Sequence, residues 1–301
     1  MLRAEDHVFG SQALRVGFPL CHTTVSGGWI AERQCILLFF KQIHNMKRII
    51  IAAAAAIVAL SSCSKKITIL TYNVGAFSKY QENTVPEVAT IIKELGASIV
   101  SLNELDSVNR RHPTYQAQEL ARELGGWDFL FASAFPYAGG AYGNAIVSRK
   151  KFVQSFRIAL PQKDGYEPRS VAMVETEDLI FLSTHLDVGS ENARVIQASL
   201  INSMVEGSFK GCKKPVILCG DMNAEPGSKA ILELQKDWVM LSPAQPTYPS
   251  KGPKKCIDYI FHYKDSAPVK VVQAGAVMRS VHTDISETSD HIPVMAQLRY
   301  R

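Results

Sequence analysis

The stretch Val216-Ile217-Leu218-Cys219-Gly220-Asp221-Met222-Asn223 runs four apolar residues into a glycine, a carboxylate and, two places further on, an amide. An uninterrupted apolar run of this length reads as a strand buried on both faces. The polar residues that close it then sit at the rim of a sheet, where functional groups concentrate. Working outward, the same kind of rim returns in Ser101-Leu102-Asn103-Glu104, Ser183-Thr184-His185-Leu186-Asp187 and Ser289-Asp290-His291-Ile292-Pro293. Four such rims predict one site assembled from residues far apart in the chain.

Between the rims, the pattern predicts strands over 66–74, 98–105, 128–135, 143–149, 152–160, 171–176, 179–186, 215–219, 258–263, 269–278 and 293–298. So many short strands in pairs point to a large two-sheet core. Helices are predicted over 84–96, 114–124, 191–206 and 228–235. The first opens on Thr84-Val85-Pro86-Glu87, a capping-box pattern with Pro in the first turn, and closes at Gly96. In the third, Ile196, Leu200, Met204 and Val205 recur at helical spacing and are expected to pack in the core.

The N-terminal region has a different character. Met46-Lys47-Arg48 precedes a short apolar stretch, 49–60, and then Ser61-Ser62-Cys63. A basic start, a brief apolar segment and small residues make an export signal, and the segment is too short to span a bilayer comfortably. Leu60-Ser61-Ser62-Cys63 resembles a bacterial lipobox, whose Cys receives lipid. Residues 46–63 are therefore expected to be a lipoprotein signal peptide, with residues 1–45 an upstream extension that is not native. Residues 64–301 are expected to form a single domain, exported and lipid-anchored in the bacterial cell envelope.

The chain carries a formal net charge of +5, and residues 1–63 hold six Lys/Arg against three acids, which leaves +2 for the rest. Without a long basic block, the domain lacks the electrostatic footprint of a nucleic-acid binder. Of the six cysteines, Cys212, Cys219 and Cys256 fall in the domain, too few and too scattered for a disulfide framework or zinc cluster. A single Cys212–Cys256 bridge stays open, and Cys219 reads as core packing. Arg110-Arg111-His112 is a tempting anion site, but a charge run of this kind reads first as a solvated loop.

The ordered motifs, with Thr71-Tyr72-Asn73-Val74 ahead of them and Ile257-Asp258-Tyr259-Ile260 among them, resemble the endonuclease/exonuclease/phosphatase superfamily of metal-dependent phosphoesterases. The resemblance covers roughly residues 66–301. The Gly-rich run from Gly139 and Glu167-Pro168-Arg169 look most like its bacterial metal-dependent hydrolase branch. It implies an α+β fold, DNase I-like: a four-layer α/β/β/α sandwich of two mixed, mainly antiparallel sheets flanked by helices.

Phosphoester hydrolysis needs a cation, a base and several donors around the phosphoryl group. Glu104, projecting from a strand end, is a carboxylate suited to a hard divalent ion. The resemblance makes it a metal ligand, together with Asn73 beside it and with Asp290, which it places near the metal or the leaving oxygen. Asp221 and Asn223 point to one side if the backbone stays extended. The resemblance has them activate water and bind phosphoryl oxygens, while an Asx turn explains the same residues. It also has His185 and His291 donate to phosphate and pairs His291 with Asp258, which would fix the tautomer of the imidazole. Asn144 and Arg169 match substrate-binding positions; a turn residue and a surface salt bridge are the plainer readings.

The expectation is thus an enzyme, a phosphoric ester hydrolase using Mg²⁺ or Mn²⁺, acting on a phosphorylated small molecule or lipid headgroup, and monomeric. A secreted nuclease and a non-catalytic surface binding lipoprotein are the rival readings.

Overall fold

The computed structural model describes residues 64–301. The predicted signal segment, Cys63 and the upstream Cys21 and Cys35 lie outside the described residues.

Twelve strands form two sheets of six. The first contains β1 (Lys65–Asn73), β2 (Ile99–Ser107), β3 (Asp128–Tyr137), β4 (Gly140–Ser148), β11 (Val269–Ala276) and β12 (Val294–Tyr300), in the order β11-β12-β1-β2-β4-β3. The second contains β5 (Gln154–Leu160), β6 (Arg169–Glu175), β7 (Ile180–His185), β8 (Val216–Asp221), β9 (Trp238–Met240) and β10 (Asp258–Tyr263), in the order β5-β6-β7-β8-β10-β9. Each sheet is antiparallel except at one central pair, β1 with β2 and β7 with β8. A parallel pair needs a crossover. Helix α1 (Val85–Glu94) lies on the first crossover and α3 (Glu191–Phe209) on the second.

Those helices, with α2 (Gln116–Glu123) and α4 (Lys229–Leu234), make the outer layers. Val88, Ile91, Ile92 and Leu120 cover the first sheet over Leu70, Val100 and Leu102. Ile201, Val205, Ile231 and Leu234 cover the second over Leu182, Val216 and Leu218. Between the sheets, Ile69, Ile99 and Ile146 meet Phe181, Ile217 and Ile260. Strands β7, β8 and β10 are buried along their whole length because both faces are covered, which is why they read as unbroken apolar runs. Truncating Phe181 to Ala in this middle layer costs about 3–5 kcal/mol. The layers are those expected of the sandwich.

Several local expectations are corrected. Strand β9 and the short helix α5 (Ile285–Thr288) were not anticipated. The Thr84 side chain makes no cap bond; its hydroxyl donates to the Thr288 carbonyl at 3.1 Å, and Asn83 Oδ1 accepts from the Val85 amide instead. Thr84 therefore ties α1 to the end of α5. In α3 the buried stripe is Ala193, Gln197, Ala198, Ile201 and Val205, and Leu200 faces solvent. Cys212, Cys219 and Cys256 are all free, and Cys219 packs between the sheets.

Candidate active site

The β1–β2 and β7–β8 pairs both end at the same edge of the sandwich. Register places Asn73 beside Asn103 in one sheet and His185 beside Asp221 in the other. Strand β10 adds Asp258 opposite Asp221 on its other side. Close approach of β7 and β8 depends on Gly220, at φ +143°, because a Cβ there would run into the Thr184 carbonyl oxygen. His185 and Asp221 are thereby brought level, with His185 Nε2 3.6 Å from Asp221 Oδ2.

Glu104 reaches the edge differently from the expected strand end. Strand β2 continues to Ser107, with a register shift between Leu102 and Leu105, and Glu104 sits inside it at φ +61°. Such a bulge re-aims side chains, and a left-handed non-glycine residue costs of order 1–3 kcal/mol, which the surrounding fold must hold in place. Its result is a division of labour. Asn103 turns inward, donating to the Thr184 carbonyl at 2.9 Å and to Asn144 Oδ1 at 3.1 Å, and accepting from the Asp221 amide at 3.0 Å. Glu104 lines the cleft.

The cleft has a volume of about 690 Å³ and is lined by Lys79, Glu104, Arg169, His185, Asp221 and His291 among others. Asp221 lies at the centre of its polar floor. Asn73 Nδ2 donates to Asp221 Oδ2 at 3.1 Å and to Glu104 Oε1 at 3.0 Å, and His291 Nε2 lies 3.6 Å from Asp221 Oδ2. Behind it, His291 Nδ1 meets Asp258 Oδ2 at 2.9 Å, while Asp258 Oδ1 is buried without a partner. Burial raises the Asp221 carboxyl well above the ordinary range, and the Asp258 charge adds to this. Burial pulls the His291 imidazole down, but Asp258 and Asp221 outweigh it and hold the ring protonated beyond neutrality. His185 goes the other way: burial, then the nearby Arg169 and His291 charges, keep it neutral.

Asn223 forms the turn and also reaches the cleft. Its backbone turns left-handed at φ +46°, and its amide N–H donates to Asp221 Oδ1 at 2.8 Å, forming the Asx turn rather than an extended pair. Its Nδ2 nonetheless lies 2.8 Å from His185 Nε2 at the cleft wall. Arg169 is a buried residue, not a surface ion pair. Its Nη1 is 3.3 Å from His185 Nδ1, its Nη2 is 3.2 Å from Glu167 Oε2, and its Nε has no partner.

Two expected roles are displaced by the hydrogen bonding. Asn144 does not line the cleft: its Oδ1 accepts from Asn103 and its Nδ2 donates to the Ser170 carbonyl at 2.9 Å, so it stitches the two sheets together. Asn73 presents its nitrogen to the carboxylates, and its Oδ1 is held by the Gly75 amide at 3.1 Å. It acts as a donor between Glu104 and Asp221 rather than offering oxygen to a metal.

Two hard oxygen donors suited to a divalent ion, Glu104 and Asp290, line the cleft. The Lys79 ammonium sits on Asp290 Oδ2 at 2.7 Å, so an ion bound there would compete with it. Asp221, Asp258 and His291 also bring three ligating atoms within 4.8 Å of one another. That trio is the poorer candidate, because Asp258 Oδ2 is committed to His291 and to the Thr247 hydroxyl.

Residues with no individual role in the sequence reading complete the site. Asp187 is buried and accepts backbone N–H bonds from Tyr166, Glu167, Gly189 and Ser190, anchoring the loop before Arg169 to the end of β7. It stood in the His185 motif, which was its only signal. Lys79 follows a left-handed turn through Gly75, Ala76 and Phe77, and only coordinates reveal its approach to Asp290.

A family model described as the Endonuclease/Exonuclease/phosphatase family matches residues 70–291. An endonuclease/exonuclease/phosphatase family protein from Bacteroides thetaiotaomicron superposes with TM-score 0.65 at 18% identity, covering 79% of this chain and 96% of that one. A mannosyl-6-phosphatase from the same organism superposes with TM-score 0.64 at 18% identity, covering 77% and 99%. TDP2 from D. rerio, complexed with a single-strand DNA product, gives TM-score 0.61 at 18% identity, covering 78% and 99%. At these identities the likeness is one of fold. No curated protein matches the sequence.

Proposed function

The chain belongs to the endonuclease/exonuclease/phosphatase family, whose members are phosphoesterases, and from that premise we propose a divalent-metal-dependent hydrolase of phosphoesters on a small molecule or lipid headgroup. The observation that carries the reading is the convergence of Asp221, His185, His291 and Glu104 on one cleft from both sheets.

Mg²⁺ or Mn²⁺, held by Glu104 and Asp290, would supply Lewis-acid stabilisation of charge on the phosphoryl oxygens. The remaining work falls to the chain. Asp221, oriented by Asn73 Nδ2 and its own bond from the Asn223 amide, takes a proton from the attacking water as its oxygen bonds to phosphorus; the ester P–O bond breaks, and the departing alkoxide takes a proton from solvent. The protonated His291, anchored by Asp258, donates to a phosphoryl oxygen from Nε2. Arg169 and Asn223, which line the same cleft, hold the phosphoryl group in place, and neutral His185, accepting at Nδ1 from the Arg169 guanidinium, orients Arg169. Burial of Asp221, His185 and His291 keeps bulk water from competing for these bonds.

The expected test result is hydrolysis by the purified protein with Mg²⁺ or Mn²⁺ of at least one of p-nitrophenyl phosphate, a chromogenic phosphodiester, inositol phosphates or sphingomyelin vesicles, abolished by EDTA and by Asp221→Asn. Plasmid DNA in the same panel tests the nuclease alternative. Activity that survives Asp221→Asn, or its absence on every substrate in wild type, would sink the proposal.

We further propose that the protein is exported and carries lipid on Cys63. Incorporation of labelled fatty acid that is lost in Cys63→Ser checks this.

A further inference from the structure

The edge of the sandwich opposite the cleft carries a charge pattern that the chemistry does not use. Strand β1 enters there at Lys65 and reaches the cleft at Asn73. Register puts the same end of the molecule at Tyr300, Val269, Ser148 and Asp128 in the first sheet, and at Ile180 and Val216 in the second. The Lys65 ammonium meets Asp178, in the β6–β7 turn, at 2.7 Å and so ties the two sheets together at this end.

Lys270, Arg299 and Lys66 lie in one register row across β11, β12 and β1, so three cations stand side by side at a strand spacing of about 4.8 Å. All three are exposed, and none has an ion-pair partner among the described residues. Like charges in one row destabilise a sheet. The nearby acids do not relieve them: Asp128 is held by Lys151 at 2.5 Å, Glu175 by Lys214 at 2.7 Å and Asp178 by Lys65. Arg149, Lys213 and Arg301 add exposed, unpaired cations around the row, against unpaired Asp237 and Asp265. The cleft end has no such excess, because Glu104, Glu167, Asp221, Glu225 and Asp290 offset its basic side chains. Connectivity supplies an independent observation. Cys63, the residue proposed to carry lipid, stands two residues before Lys65, a reach of about 7 Å at most. The nine residues of β1 set the cleft about 26 Å further on.

We infer that this edge, centred on Lys66, Arg299 and Lys270, docks on an anionic lipid surface with the cleft turned away from it, so that the substrate arrives from the aqueous side. The last clause rests on the phosphoesterase reading and takes its small-molecule arm over a headgroup of the anchoring membrane. An anionic surface strengthens binding about fivefold for each basic side chain close to it, and this attraction fades within about 10 Å in salt. The row at Lys66 falls inside that range of the anchoring residue, and the cleft falls outside it.

Residues 63–301 form one compact unit that holds both sheets and all three apolar layers, so residues 64–301 serve for the test. Sedimentation with mixed phosphatidylcholine/phosphatidylglycerol vesicles should show binding that pure phosphatidylcholine does not. Lys66→Gln/Lys270→Gln/Arg299→Gln should weaken it about 100-fold, and Lys66→Arg/Lys270→Arg should preserve it. Binding unchanged by the triple substitution, or equally tight binding to duplex DNA, overturns the inference. Orientation is read with a bimane label on a Cys212→Ser background. At Val153→Cys, in the β4–β5 turn and 61% exposed, a headgroup-attached quencher should dim it. At Tyr166→Cys, 75% exposed and tied by its amide to Asp187 on the cleft side, it should not. Quenching at Tyr166 instead of Val153 sinks the orientation. None of these measurements uses turnover or Cys63: failure to hydrolyse any phosphoester removes the phosphoesterase reading and leaves the docking edge standing, whereas absence of vesicle binding removes the docking edge alone.

Discussion

Asp106 and Asp258 are both buried aspartates in hydrogen-bond contact with a histidine, yet one belongs to a clasp and the other to a cleft. Around Asp106 every demand is met: Arg111 grips both oxygens, and His112 adds a third contact. Burial alone would raise this carboxyl, but Arg111, His112 and Asn109 overcome it and hold it below the usual range. Around Asp258 the tally is reversed. Two carboxylates share one imidazole, Asp258 Oδ1 is unpartnered, and Asp221 is pushed upward. The same side chains stabilise when neutralised and react when left short of positive charge.

The largest expected effect is that of Asp221→Asn. It should lower kcat by about 10²- to 10⁴-fold, as for loss of a general base, while the thermal midpoint stays equal or rises. The sign follows from linkage: a carboxyl whose folded value stands above its unfolded one costs the fold stability as it ionises. The stability advantage of Asp221→Asn should therefore widen as pH rises from about 4 through neutrality, read as urea midpoints across pH. An unchanged kcat breaks the comparison on the cleft side.

The second is its mirror. Asp106→Asn should cost about 1.5–3 kcal/mol of stability, as for lost bonds to a charged group, and leave kcat within a few-fold at low temperature. Its carboxyl is depressed in the fold, so the stabilisation is complete above its unfolded value and disappears as pH falls through the folded value. The deficit of the variant should accordingly shrink below pH about 4. Third, Asp258→Asn removes the nearest anion that raises His291, and the alkaline limb of the pH–rate profile should move down by roughly one unit. A limb that does not move identifies another group as the acid. Smallest is Lys79→Met, which frees Asp290 from its ammonium partner. Calorimetry should show Mn²⁺ binding more tightly by no more than about fivefold, the scale of a part-exposed pair.

A residue's role was legible in the sequence where that residue acts within its own element. Long apolar runs such as Val216–Asp221 announced their strands because both faces are covered. Trp238–Met240 did not, being three residues that pair only with the edge of β10. The layered sandwich was legible through ordered motifs, whereas the composition alone implied no more than mixed α and β. At the site, Asp221, His185 and His291 were readable as rim residues. The inward rotation of Asn103 and the outward one of Glu104 were not, because a bulge leaves no periodic trace. Asn144 was misread because partners at distant positions, Asn103 and Ser170, decide which way its side chain is used.

The two parallel strand pairs have a consequence for how competence is acquired. Each sheet could close its own ladder alone, but Asn73 and Glu104 come from one and His185 and Asp221 from the other. Bonds such as Asn103 Oδ1 to the Asp221 amide act as alignment pins across the seam. Sliding one layer past its neighbour by a single residue, about 3.3 Å, would separate every pair. In refolding, hydrolytic activity should emerge last, lagging behind the signal for secondary structure, since neither half holds a usable fraction of the chemistry.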